Sequence, residues 1–401
     1  MKKYFIALLT GVFVAIACLA VFNWWVNPYG VFSAPVIEGF NALKVDADTR
    51  GRLSKVYEVN RLQPDVIILG SSRSLNVPIE PLRNESNLVY NLALSAGTGY
   101  EMYRMFQHAN AVHPLNKVII GIDEYFSNVA SPIFAEDRLR VDADNQPNNS
   151  WRMMIYRDYF SSLFSLDALR SSIRTVTKQP ELSLDEYYFY DKKRRVAKAG
   201  GHHQMFLTDE RHLILRSDRK NVTDCKYRQA DAAAVQTAKS PYFDKMMQLA
   251  YQHDIQFYIF FSPLHARIYE IHCITGSMLA VENTKRAIVE IVEAVAERLG
   301  KTPYPVWDFT GYNSVTTESV PELGDTTTLM EWYWEGSHYT RSTGTLILNT
   351  MLEQDTNLAD DFGVRINTSN IEQQLRAIHE QRKLYQITNS SDIEEVRNLI
   401  Q

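Results

Sequence analysis

Cysteine is scarce in this chain, with three residues among 401, so a disulfide scaffold is excluded. Cys18 lies in the apolar N-terminus, which leaves Cys225 and Cys273 as the one pair able to bridge in an oxidising compartment. Spacing alone does not decide whether they do. A dominant charge is missing too: the formal net charge of -5 gives no global basic field, and nucleic acid is not an expected partner. No small-residue cleavage pattern follows the apolar N-terminus, which argues against a removed signal peptide.

What stands at the N-terminus is a run without a single charge from Tyr4 to Val26, following Lys2 and Lys3. At 1.5 Å per residue it is long enough to cross a hydrocarbon core of about 30 Å. The lysines favour a cytoplasmic N-terminus, and Trp24, Trp25 and Tyr29 suit the far interface. The expectation is a single-pass inner-membrane protein with 4–26 as anchor and everything beyond it extracytoplasmic, in the periplasm. Residues 27–62 read as a membrane-proximal spacer whose helix stops before Pro64.

Beyond the spacer, apolar runs alternate with helical patterns, which predicts an α/β fold on a mostly parallel five-stranded sheet. The strands fall at Asp65–Leu69, Asn87–Asn91, Lys117–Ile122, Ile255–Phe261 and Val306–Phe309. Helices are expected over Tyr100–Ala111, Tyr242–His253, Val281–Leu299 and Arg341–Glu353. The alternation fails between about 127 and 240, an insertion with helices of its own. It carries the basic run Lys192–Arg195, read as a solvated loop, and the His202-His203 pair, which lacks the further spaced ligands of a metal site. The tail from 356 to 401 turns polar and helical. Its Asp361-Phe362-Gly363 has none of the companion motifs of a kinase.

The ends of the strands carry the chemistry. Asp65–Leu69 runs into Gly70-Ser71-Ser72-Arg73, where open α/β sheets place functional groups. A serine hydroxyl becomes a nucleophile when a base takes its proton and a third group orients that base. His338 and, three residues earlier, Glu335 supply base and acid, their spacing suited to a loop or a first helical turn. Asp308, at the end of the fifth strand, is the alternative acid. His265 follows the fourth strand as a substrate contact or a strand cap, and Arg73 is placed to bind an anionic group or to pair with a neighbouring acid.

Gly70-Ser71-Ser72-Arg73, Asn91-Leu92-Ala93-Leu94-Ser95-Ala96-Gly97, Gly121-Ile122-Asp123 and Glu335-Gly336-Ser337-His338 together resemble the four ordered blocks of the SGNH (GDSL-like) hydrolases. The resemblance covers roughly 63–355 without the insertion, and with the anchor it is most similar to the extracytoplasmic branch that acts on acylated polysaccharides. It implies a flavodoxin-like three-layer sandwich, with Ser72 as nucleophile, His338 as base and Glu335 as acid. Backbone amides at Ser72 and in the Ala93–Gly97 turn would form the oxyanion hole. It also implies no cofactor, an acylated envelope polysaccharide as substrate and a membrane-bound acyltransferase as partner. Three positions depart from the pattern: Ser71 precedes the nucleophile in place of aspartate, Glu335 stands where the acid is usually aspartate, and Asp123 replaces the asparagine that donates to the oxyanion. An ionised Asp123 there would repel that charge.

Overall fold

The computed structural model describes residues 1–44, 46–47, 50–124, 126, 128–129, 131–134, 136–179, 193–217, 225–353 and 360–399. It divides into two compact units. Unit one comprises Met1–Gln63, Gln107–His113 and Pro132–Lys192; unit two comprises Pro64–Phe106, Pro114–Ser131 and Lys193–Gln401.

Unit two is built on a sheet. Strands β1 (Val66–Leu69), β2 (Val89–Asn91), β3 (Lys117–Ile122), β4 (Gln256–Phe261) and β5 (Val306–Asp308) lie parallel in the order β2-β1-β3-β4-β5. β1 and β3 are almost wholly buried, as unbroken β-branched runs require when both faces are covered. On one face Ile68, Ile119 and Phe260 pack with Leu346, Ile347 and Leu348 of helix Arg341–Met351. On the other, Phe106 of helix Gly99–Val112 meets Phe257 edge-on, with ring centroids 5.4 Å apart.

The sheet has six strands, not five. β8 (Val364–Ile366) pairs antiparallel with β5 and comes from the stretch expected to be purely helical. Three residues are too few to display an alternating pattern; the pairing follows from the open edge of β5 and from Phe362, which packs on Phe309 with centroids 4.8 Å apart. The Asp-Phe-Gly tripeptide is thereby structural, Asp361 accepting from the amide and hydroxyl of Ser314. Helix Ile371–Thr388 then supplies the helix expected in the tail.

In unit one, helix Lys2–Val26 is long and apolar enough to span a bilayer, and its most apolar window is not buried against protein. The stretch 27–62 contributes to this unit's core and is no detached spacer: Tyr29 donates to Asp167 at 2.8 Å and Tyr57 to Asp158 at 2.6 Å. Its helix, Gly51–Leu62, ends before Pro64 as expected, through Gln63 in the left-handed conformation. The insertion does hold helices, among them Trp151–Phe164, Leu166–Thr177 and His202–Arg216, but it is shared between the two units.

Candidate active site

β1 ends at Leu69, and Gly70 turns the chain with φ 147°. A Cβ there would fall 2.0 Å from Ser74 Oγ and 3.0 Å from Gly121 O, so only glycine passes. Ser72 emerges from this turn with Oγ 2.8 Å from His338 Nε2. His338 opens β7 (His338–Tyr339) and Glu335 closes β6 (Tyr333–Glu335), the two facing each other across an antiparallel hairpin. His338 Nδ1 bonds Glu335 Oε1. The three-residue spacing works through a tight hairpin instead of a helical turn, and Ser72, His338 and Glu335 form one continuous hydrogen-bonded chain.

Several groups hold the hairpin. Arg73 Nε donates to Ser337 O at 2.7 Å, the His265 amide donates to Gly336 O at 3.0 Å, and His202 Nδ1 donates to Trp334 O at 2.8 Å. The Glu318 carboxylate accepts from the amides of Glu331, Trp332 and Tyr333. His203 is also structural, bonded to Glu395 and Pro321 O. Of the basic run, Lys193, Arg194 and Arg195 are exposed as expected but belong to a helical turn and not to a loop, and Lys192 lies outside the described residues.

Asp209, from helix His202–Arg216, escaped sequence reasoning. It accepts from Ser337 Oγ at 2.7 Å, and burial together with the nearby Glu335 charge pushes its carboxyl up to about 6. No local pattern links it to a hairpin 128 positions away. His338 feels opposing influences: burial works against its charged form, but the Glu335 hydrogen bond and charge outweigh it and hold the imidazole pKa above the ordinary histidine value.

That direction fixes a pH dependence. Were His338 to act as a general base it would have to start neutral, so the activity it supports should be full above its raised pKa and fall as pH drops through it, with a midpoint above about 6.5. Glu335→Gln removes the raising charge and should move the midpoint of kcat/KM to lower pH while reducing the rate by roughly 10²- to 10⁴-fold. Asp209→Asn should move it the same way by less. A wild-type midpoint below the ordinary value would contradict this electrostatic order.

Ser71 and Asp123, two of the three departures from the family pattern, are bonded to each other. Ser71 Oγ donates to Asp123 Oδ2, and Arg73 Nη1 lies 3.3 Å from Asp123 Oδ1. Arg73 also makes a two-pronged contact with Glu124, whose carboxyl it holds down at about 2 against the opposing effect of burial. Arg73 thus pairs with neighbouring acids. Asp123 is held by a hydroxyl and a guanidinium and does not stand as an isolated anion beside the site.

Four expected site residues do otherwise. The Ala93 amide donates to Asn91 Oδ1 at 3.1 Å and the Gly97 amide to Leu94 O at 2.8 Å, so neither is an oxyanion donor, although Gly97 lines the cleft. The Ser72 amide has no partner among the described residues and remains for that role. Asp308 is not brought to His338; Lys285 Nζ binds it at 2.8 Å in the interior. His265 caps helix Ala266–Thr275, its Nε2 donating to Glu318 O at 2.7 Å, and burial lowers its pKa to about 3, so it is a neutral structural group.

Ser72 and His338 open into a cleft of about 880 Å³ whose walls include Thr98, Leu213, Arg216, Ile271 and Thr275. One wall, helix Ala266–Thr275, is tied down by a Cys225–Cys273 disulfide. For its 48-residue separation, chain entropy predicts a loss of about 4 kcal/mol on removal. Thermal unfolding with and without reductant should show a lowered midpoint, matched by Cys225→Ser with Cys273→Ser.

No family model matches the chain, and no curated protein matches it.

Proposed function

We propose that this chain is a membrane-anchored serine esterase or O-acyltransferase of the SGNH type, acting on an acyl ester, acetyl in the simplest case, of a cell-envelope or exported polysaccharide. The observation that carries the reading is the unbroken Ser72–His338–Glu335 hydrogen-bond chain at the mouth of a cleft. The size of that cleft is within the range of small-ligand sites.

In this mechanism His338 Nε2 takes the Ser72 proton as Oγ attacks the acyl carbonyl, and Glu335 stabilises the imidazolium. The Ser72 amide donates to the oxygen that gains negative charge. The intermediate collapses as His338 returns the proton to the departing sugar oxygen, leaving acyl-Ser72. Water or a second sugar hydroxyl, deprotonated by His338, then attacks the acyl carbon and releases Ser72. The apolar helix and the two N-terminal lysines support a single-pass inner-membrane protein with unit two in the periplasm, where the Cys225–Cys273 bridge would persist. A membrane-bound acyltransferase is the partner this arrangement suits.

A fluorophosphonate probe tests the reading on the detergent-purified full-length chain. Labelling should map to Ser72 and vanish in Ser72→Ala; equal labelling of both would sink it. Supplying an acetyl ester with candidate oligosaccharides separates the outcomes, acetylated sugar by mass marking transfer and free acetate alone marking hydrolysis.

A second reading, a non-catalytic glycan-binding scaffold, draws on Asp123 standing where the family has an amide donor. Glycan binding without probe labelling would favour it.

A further inference from the structure

We infer that helices Trp151–Phe164 and Leu166–Thr177 form a second membrane-contacting element, their outer face seated among the headgroups and upper acyl chains of the leaflet that receives the C-terminal end of helix Lys2–Val26. The inference rests on that helix crossing a bilayer and is independent of any catalytic activity. All the residues concerned belong to unit one.

The first helix is inside out. Its buried residues are Asp158, held by Arg138 and Tyr57, and Ser162. Its exposed surface carries Met153 (70% exposed), Tyr156 (73%), Phe160 (67%) and Phe164 at intervals that set them along one side. The second helix buries Ala168, Ser171, Ser172 and Thr175 and turns out Leu166 (68%) and Ile173. Water disfavours such a face on a monomer, whereas lipid rewards it. Small and hydroxyl residues inward are also how helices pack in membranes.

The occupant follows from continuity and charge. Both helices pack on helix Lys2–Val26, whose residues become partly covered from Ala17 onward, within the apolar run itself. Asn23, fully buried, donates to Leu163 O at 2.9 Å and accepts from Ser172 Oγ at 2.8 Å. The apolar faces therefore begin at the depth where the spanning helix is still uncharged, beside Trp24 and Trp25. Residues 151–178 carry five basic side chains, Arg152, Arg157, Arg170, Arg174 and Lys178, of which Arg174 is paired with Asp46 at 2.9 Å. The two acids among them are both engaged, Asp158 with Arg138 and Asp167 with Arg50. An apolar stripe edged by cations fits an anionic lipid surface.

The test uses the full-length chain, with Cys18→Ser, in nanodiscs of phosphatidylethanolamine and phosphatidylglycerol. An environment-sensitive fluorophore is placed on Phe160→Cys, on Leu166→Cys and, for the spanning helix, on Phe13→Cys. All three labels should lose most of their emission to doxyl lipid and be protected from iodide. If the Phe13 label is quenched by doxyl lipid and the other two are quenched only by iodide, the inference is overturned and the spanning helix stands. If none responds to doxyl lipid, both fall together. Labels at 160 and 166 shielded from both quenchers would mean that protein covers the face, which also overturns it.

Discussion

Ser72→Ala is expected to lower turnover of a chromogenic acetyl ester by roughly 10⁴-fold or more, as losing the nucleophile of a triad does. The expectation follows from geometry: Ser72 Oγ lies 2.8 Å from His338 Nε2, and the imidazole is already oriented by Glu335 at its other nitrogen. Because the three act as a unit, His338→Ala should cost about as much, and the double variant should be no worse than either single one. Initial rates on the purified full-length chain check this. A Ser72→Ala variant keeping most of its activity would show that the reacting serine lies elsewhere, and additive losses would show that Ser72 and His338 act separately.

The second large effect is on stability. Arg73→Met is expected to lower stability by about 3–5 kcal/mol, because it leaves Glu124 buried and Asp123 half-buried without their guanidinium. Arg73 and Glu124 are both nearly inaccessible, and Arg73 also loses its bond to Ser337 O beside His338. Adding Glu124→Gln removes one stranded charge and should recover most of the loss. The Glu124 carboxyl is held down at about 2, so its contribution is present above the unfolded carboxylate range near 4.3 and disappears only as pH falls through about 2. Denaturation midpoints at neutral pH therefore isolate the pair. An Arg73→Met midpoint equal to wild type would refute it, and no recovery in the double variant would assign the loss to the Ser337 contact instead.

Much of the architecture was legible because burial writes itself into composition. Val66–Leu69 and Lys117–Ile122 are apolar runs because both faces of a parallel strand are covered, and Tyr4–Val26 is uncharged over a length few core helices need. β8 was not legible, since three residues carry no period and their pairing depends on an edge supplied by β5. Nor was the engagement of the Ala93 and Gly97 amides, which follows from how the turn folds on Asn91 and Leu94.

By itself the sequence determined the apolar N-terminal helix and the parallel strands, which depend on residue type and local run, and it singled out Ser72 and His338 with either Glu335 or Asp308 as the acid. Tertiary structure alone decided that Glu335 reaches His338 across a hairpin, that Asp209 stands behind Ser337, and that Ser71 and Arg73 hold Asp123. It also chose Glu335 over Asp308 by giving Asp308 to Lys285. Contacts such as Ser71–Asp123 and Asp209–Ser337, 52 and 128 positions apart, arise only when distant elements are set side by side, and no local pattern records which side chains will meet there.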